Sequence, residues 1–278
     1  MLYLTPFITT YVCILQFFLG AVFASFLGCF AWRVCHGESV LKGRSHCDAC
    51  GHMLGAKDLI PIASYLSTKG KCRYCGKNIG KLCLYGELVL AGLFVLATLR
   101  FDLTSELFLA NCFLCILYVV TLTDLYEQII LDRCILLAIA VRLVTFFVAE
   151  EASLLGLLRL LGNGLVIAGP VLIITLILEY ILKKEALGGG DIKLLFVLGL
   201  YLGWAKCLLM LLVACIAGIF YAAKQMSKED AASAGTEATE AGEQASPMIP
   251  FGPFLSAGAV VALLLGDTVL GWYLSMFF

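Results

Sequence analysis

The sequence predicts an all-α polytopic membrane protein of about eight transmembrane helices, with a small cytoplasmic zinc-ribbon-like loop domain. Three observations carry that reading. Of 278 residues, 62% are hydrophobic and 14% charged, and the mean hydropathy is +0.99, a balance foreign to soluble domains. Near-uncharged runs recur at the length of a bilayer span, which needs about 20 apolar residues per helix. Two CxxC pairs interrupt the pattern in a polar loop near the amino terminus.

The first span covers residues 7–32, FITTYVCILQFFLGAVFASFLGCFAW. No basic residue precedes it, unlike the charged lead of a signal peptide, so it is expected to be retained. Arg33, Lys42, Arg44, Lys57, Lys69, Lys71, Arg73, Lys77 and Lys81 then crowd the loop that follows. Lys and Arg collect on the cytoplasmic side, which puts this loop inside and the amino terminus outside.

Further spans are expected over residues 82–99, 107–123, 134–149, 161–182, 192–204, 206–223 and 252–277. The sixth is short and is parted from the seventh only by GWAK, so it reads either as a partial span or as a re-entrant element. Counting forward, the chain returns to the cytoplasm at 124–133, 183–191 and 224–247. The last return, KQMSKEDAASAGTEATEAGEQASP, is small, polar and acidic, the composition of a flexible linker. Three regions follow: a first span at 1–36, a four-cysteine zinc-binding loop at 37–81, and a membrane-embedded core at 82–278 with the linker at 224–247. Lys plus Arg number 19 against 20 for Asp plus Glu, so no charge excess points to nucleic acid.

Most of the thirteen cysteines sit singly in apolar runs, where Cys behaves as a small hydrophobe. Cys47, Cys50, Cys72 and Cys75 do not. They form two CxxC pairs, each followed at once by glycine, with 21 residues between the pairs. Four soft ligands at such spacing suit a structural Zn2+, and a reducing cytoplasm keeps the thiols free. A redox pair or unliganded thiols is the alternative. Cys112 and Cys115 also form a CxxC, but inside a span, where helix packing is the expectation. His36, His46 and His52 lie in or beside the cysteine loop and are read as non-ligands, with His46 or His52 as possible substitutes for a cysteine.

Carboxylates beside apolar runs are costly and invite a functional reading. Asp124, in YVVTLTDLYEQIILDR, follows the third span, and Asp191, in LGGGDIKLL, follows the fifth. Taken alone, Asp191 reads equally as a helix N-cap after a glycine turn. Asp124 reads equally as a solvated group at the headgroups, and so does Asp132. Taken together, two carboxylates held close share one proton, which is the chemistry of an aspartic protease dyad. Gly188, Gly189 and Gly190 would leave room for a substrate backbone.

These segments resemble the bacterial type IV prepilin peptidases, membrane aspartic proteases of the GxGD type. GGGDIK, residues 188–193, is similar to the family's GxGD-x-K segment. LTDLYEQIILD, residues 122–132, is similar to its other aspartate segment, in which a second Asp follows eight positions on. SFLGCFAWR at 25–33, the double CxxC loop and IPFGPFL at 249–255 resemble three further family segments in the same order. Two departures stand out: Leu131 where the family usually has Pro, and Gly28 where it usually has Asn.

The resemblance implies Asp124 and Asp191 as the catalytic pair, with Asp132 the trailing, less critical acid. It implies cleavage of prepilin or pseudopilin-like precursors at the cytoplasmic face of the bacterial inner membrane, after a glycine joining a basic leader to a hydrophobic helix. It further implies methylation of the new amino terminus with S-adenosylmethionine as a second activity. Lys193 is expected to meet lipid phosphate or substrate. Glu87 matches an acidic position of the family and is expected either to receive a substrate amine or to snorkel at the interface. Two rival classes remain at this point: a proton- or cation-coupled transporter using Asp124 and Asp191, and a zinc-ribbon assembly module without catalysis.

Overall fold

The computed structural model describes residues 6–40, 43–149, 153–183, 187–233 and 250–276. Among them there is no strand, only helices, turns and two isolated bridges. A backbone in hydrocarbon has no water to bond, so each span satisfies its own N–H and C=O groups as a helix. The long helices are α1 (Pro6–Cys35), α3 (Lys81–Phe101), α4 (Ser105–Glu127), α5 (Asp132–Ala149), α6 (Leu154–Leu182), α7 (Gly189–Ser233) and α8 (Gly252–Ser275). A short 3-10 turn (Ala56–Asp58) and α2 (Ala63–Ser67) lie between α1 and α3.

Six of these are long and apolar enough to cross a bilayer, which makes this a multi-pass membrane protein. The other long helix, α5, is 18 residues and carries Asp132, Arg133 and Arg142. The expected sixth and seventh spans are the two arms of α7, joined at Gly203, where φ is 75° and ψ is 164°. Only glycine adopts that backbone without strain, so GWAK marks a corner between two helices. The second arm runs on to Ser233, and the remainder of the expected linker, from residue 234, lies outside the described residues.

The chain divides into two compact units, residues 1–157 and 158–278. In the first, α1, α3 and α4 pack through small residues. A Cβ on Gly20 would lie 2.8 Å from the Cα of Ala91, so these two helix backbones touch. The Tyr118 hydroxyl of α4 occupies the notch left by Gly86 of α3 and also faces Gly28 of α1. Gly86 is the residue that makes room for the tyrosine, while at Gly28 a Cβ would meet the hydroxyl at ordinary contact distance, 3.5 Å. Asn111 Nδ2 donates to Gln16 Oε1 at 3.3 Å and ties α4 to α1. These pairings run antiparallel from α1 to α3 and from α3 to α4. The carboxyl ends of α1 and α4 thus share one end of the unit with Lys81.

In the second unit, Gly199 of α7 lies against the backbone of Asn163 and Gly164 in α6, at 2.7 Å from a notional Cβ. The second arm of α7 pairs antiparallel with α8: Met210 abuts Gly258 and the Lys206 stem abuts Gly266. Lys206 Nζ closes a 2.7 Å ion pair on Asp267 Oδ1 across the same seam. Large apolar side chains such as Phe18, Leu165 and Ile173 point outward from their helices, as lipid-facing residues do.

Replacing Gly86 by Ala drives a methyl group into the Tyr118 hydroxyl and is expected to cost about 1–3 kcal/mol, the usual range for overpacking. Tyr118→Phe in the same chain removes the obstructing oxygen and should restore most of the loss, read as thermal unfolding of the purified protein in detergent.

Candidate functional site

The four-cysteine loop folds as two copies of one turn. Each glycine after a CxxC takes a left-handed φ, 68° at Gly51 and 73° at Gly76, which explains why glycine stands there. Gly51 N–H donates to the Cys47 carbonyl at 2.8 Å and Gly76 N–H to the Cys72 carbonyl at 2.9 Å. Cys47 N–H donates to His52 and Cys72 N–H to Lys77, closing each knuckle, while the bridges His46 to Met53 and Lys71 to Asn78 complete the pair.

The knuckles bring Cys47, Cys50, Cys72 and Cys75 together with all four Sγ atoms within 4.8 Å of one another. Cys47 and Cys75 are 4.0 Å apart. A tetrahedral zinc with sulfur bonds near 2.3 Å needs sulfurs about 3.8 Å apart, so the set is of the right size. Hydrogen bonds from the amides of Cys75 and Tyr74 hold the Cys72 thiol down to about 7, the direction a metal ligand requires. At Cys75 the Lys77 amide acts the same way, but desolvation and the neighbouring thiols outweigh it and push the group up to about 11.

No histidine joins the cluster among the described residues. His52 stacks on Tyr74 with ring centroids 3.6 Å apart, and His36 stacks on Trp32 at 4.2 Å. Asp58 holds the loop between the knuckles onto the second one. Its carboxylate accepts from Gly55 N–H at 3.1 Å, Tyr74 O–H at 3.0 Å and Arg73 Nε at 2.9 Å. The Gly55 amide is the largest influence holding this carboxyl below its ordinary range; desolvation opposes it, and Tyr74 and Arg73 assist. Sequence reasoning missed Asp58, since one acid among basic residues carries no spacing signal.

Asp124 sits near the end of α4, with only 5% of its surface exposed. Gln128, in the left-handed region at φ 56°, ends the helix and donates its N–H to the Asp124 carbonyl at 3.0 Å. Because α4 ends where α1 ends and α3 begins, Asp124 lies at the end of its unit that carries the cysteine loop. Asp132 is exposed in the first turn of α5, and the Leu131 carbonyl just ahead of it accepts the amides of Cys134 and Ile135.

Asp191 belongs to the second unit and lies in the first turn of α7, half-buried. It is not the N-cap that local sequence allowed. The helix already begins at Gly189, and Asp191 N–H donates to the Gly188 carbonyl at 3.0 Å. Its carboxylate folds back over Gly188, where a Cβ would come within 3.3 Å of Oδ2. A Cβ on Gly189 would meet nothing within 4 Å. Lys193 is on the exposed side of the same turn.

Glu87 neither lies open to a ligand nor snorkels to water. It is 4% exposed, accepts Ile62 N–H on Oε2 at 2.6 Å, and receives the Cys83 thiol on Oε1 at 3.8 Å.

Comparison with known proteins adds an independent line. A family model described as the bacterial peptidase A24 N-terminal domain matches residues 18–101, and one described as the type IV leader peptidase family matches residues 111–223. The chain is similar to a prepilin leader peptidase/N-methyltransferase of Bacillus subtilis (strain 168), with 31% identity over 94% of this chain and 97% of the relative. A protein of the same name from Aeromonas salmonicida (strain A449) is 30% identical over 85% of this chain and 76% of its own length. One from Dichelobacter nodosus is 28% identical over 86% and 82%. No solved structure matches the chain.

Proposed function

The chain belongs to the type IV leader peptidase family, and we propose that it removes the leader peptide from type IV prepilin-like precursors by aspartic catalysis through Asp124 and Asp191. The observation that carries this reading is the relatives' shared name, in a chain that places one buried aspartate at a helix end and, in its other unit, one aspartate in a glycine-lined first turn. Membership in a peptidase family speaks against a transporter.

In the proposed reaction one carboxylate is ionised and removes a proton from water, while its protonated partner donates a hydrogen bond to the scissile carbonyl oxygen. Water oxygen bonds to the carbonyl carbon and gives a tetrahedral intermediate. The carbon–nitrogen bond then breaks, the proton passes to the leaving amine, and the dyad returns to a single shared proton. Cleavage after a glycine fits a site whose own entrance is glycine, since Gly189 offers open backbone to the peptide. The basic loop at 43–81, on the same end of its unit as Asp124, supports a cytoplasmic active site.

The four cysteines would hold a structural Zn2+, which supplies a fixed link between the two knuckles and takes no part in bond cleavage. Their sulfur separations and the lowered Cys72 thiol fit that ion. The relatives are named N-methyltransferases as well, and methylation of the new amino terminus with S-adenosylmethionine is the second activity we propose. The cavity of about 350 Å³ near the knuckles opens onto Cys47 and Cys72 themselves and so belongs to the metal-binding module rather than forming a separate donor site.

Asp124→Asn and Asp191→Asn should each lower leader removal by about 10²-fold or more, the least expected when an acid–base group is lost. Electrophoresis of a prepilin-like substrate after incubation reads the result, and complete cleavage by either variant defeats the dyad. The double variant Cys47→Ser with Cys72→Ser should lose most of its zinc by elemental analysis of the purified protein. Unchanged zinc content removes the metal from the account.

A further inference from the structure

The peptide between the knuckles holds an oddity that the proposed reaction does not use. Ile62 adopts φ 62° and ψ −52°, a left-handed conformation that β-branched residues almost never take. It is the centre of a tight turn in which Ala63 N–H donates to the Pro61 carbonyl at 2.5 Å. The turn aims the Ile62 amide at Glu87, a buried acid of α3. A strained residue persists only where its surroundings over-determine it, and here the 2.6 Å hydrogen bond to Glu87 does so.

That contact fixes a depth. Side chains of a helix lean toward its amino end, so the Glu87 carboxylate lies back toward Cys83, whose thiol it also meets. Cys83 is two residues inside α3, about 3 Å along the axis from Lys81, where the apolar run of this span begins. The Ile62 turn is therefore held at the level where α3 enters the bilayer. Around it, Leu59, Ile60 and Leu66 expose 46%, 51% and 63% of their surface. Lys57 and Lys69, both exposed, flank them in sequence. Apolar tips framed by lysines match a headgroup layer, with acyl chains below and anionic phosphates above.

We propose that Leu59, Ile60 and Leu66 enter the headgroup–acyl boundary of the bilayer beside α3, that Lys57 and Lys69 rest on anionic lipid phosphates, and that Glu87 holds the segment at this depth through Ile62. The inference rests on α3 as a membrane span and is independent of the peptidase chemistry.

Its test uses the full chain in lipid vesicles with Trp32, Trp204 and Trp272 replaced by Phe and a single tryptophan introduced by Ile60→Trp, or in a second protein by Leu66→Trp. Phosphatidylcholine and phosphatidylglycerol brominated high on the acyl chain serve as quenchers. Either probe should lose about half or more of its fluorescence to brominated lipid, whereas Asn78→Trp on the second knuckle should lose little. Lys57→Gln with Lys69→Gln, or vesicles of phosphatidylcholine alone, should weaken the quenching. Emission at Ile60→Trp and Leu66→Trp that brominated lipid leaves unchanged overturns the proposal, whether the probes prove to be in water or covered by protein. Quenching equally strong without anionic lipid overturns the assignment of the two lysines.

Discussion

Polar groups placed in hydrocarbon must find partners inside the chain, and the rest of this structure follows from that constraint. It makes every span a helix, and it lets helices approach only where small residues such as Gly20, Gly86, Gly199 and Gly258 open the way. It also turns several polar side chains of the helices into ties between elements. Gln16 meets Asn111, Lys206 meets Asp267, and Glu87 takes the amide of Ile62. The last of these ties differs from the others because it reaches out of the helices to the polar loop.

The two aspartates are placed differently from those ties. Asp124 is buried at the end of α4, and Asp191 is half-buried in a turn whose other residues are glycine. Both stand at helix ends, where a chain can bring an acid to the membrane boundary without carrying it through the core. The cysteine loop shares the end of its unit with Asp124. Its shape comes from two left-handed glycines, four clustered thiols and the Asp58 clamp. Such a module folds without a core of its own, as small metal-binding modules do.

Much of this was legible in the chain. Apolar runs bounded by Lys81 and Arg100, or broken at GWAK, translate directly into helix ends and the Gly203 corner, because charge is costly inside a span and glycine admits the corner's backbone. The two CxxC pairs predicted the cysteine cluster, whereas the left-handed turns at Gly51 and Gly76 came from the structure. What sequence could not supply were contacts between residues without a common period. Asp58 reaches Arg73 and Tyr74 across 15 and 16 positions, and Glu87 reaches Ile62 across 25. The alternative of Asp191 as a cap was open in sequence because the start of α7 could not be placed among three glycines. The structure starts the helix at Gly189 and so moves Asp191 into its first turn.

The proposed dyad requires two carboxylates acting as one unit with one proton, and such a pair has a characteristic dependence on pH. The most direct test is kcat/KM for leader removal against pH, measured on the purified protein in lipid with a prepilin-like substrate. A dyad predicts a bell, falling on the acid side as both carboxyls become protonated and on the alkaline side as the shared proton is lost. A rate that keeps rising with pH and shows no alkaline limb would contradict it, because chemistry that needs a protonated carboxyl cannot survive its ionisation.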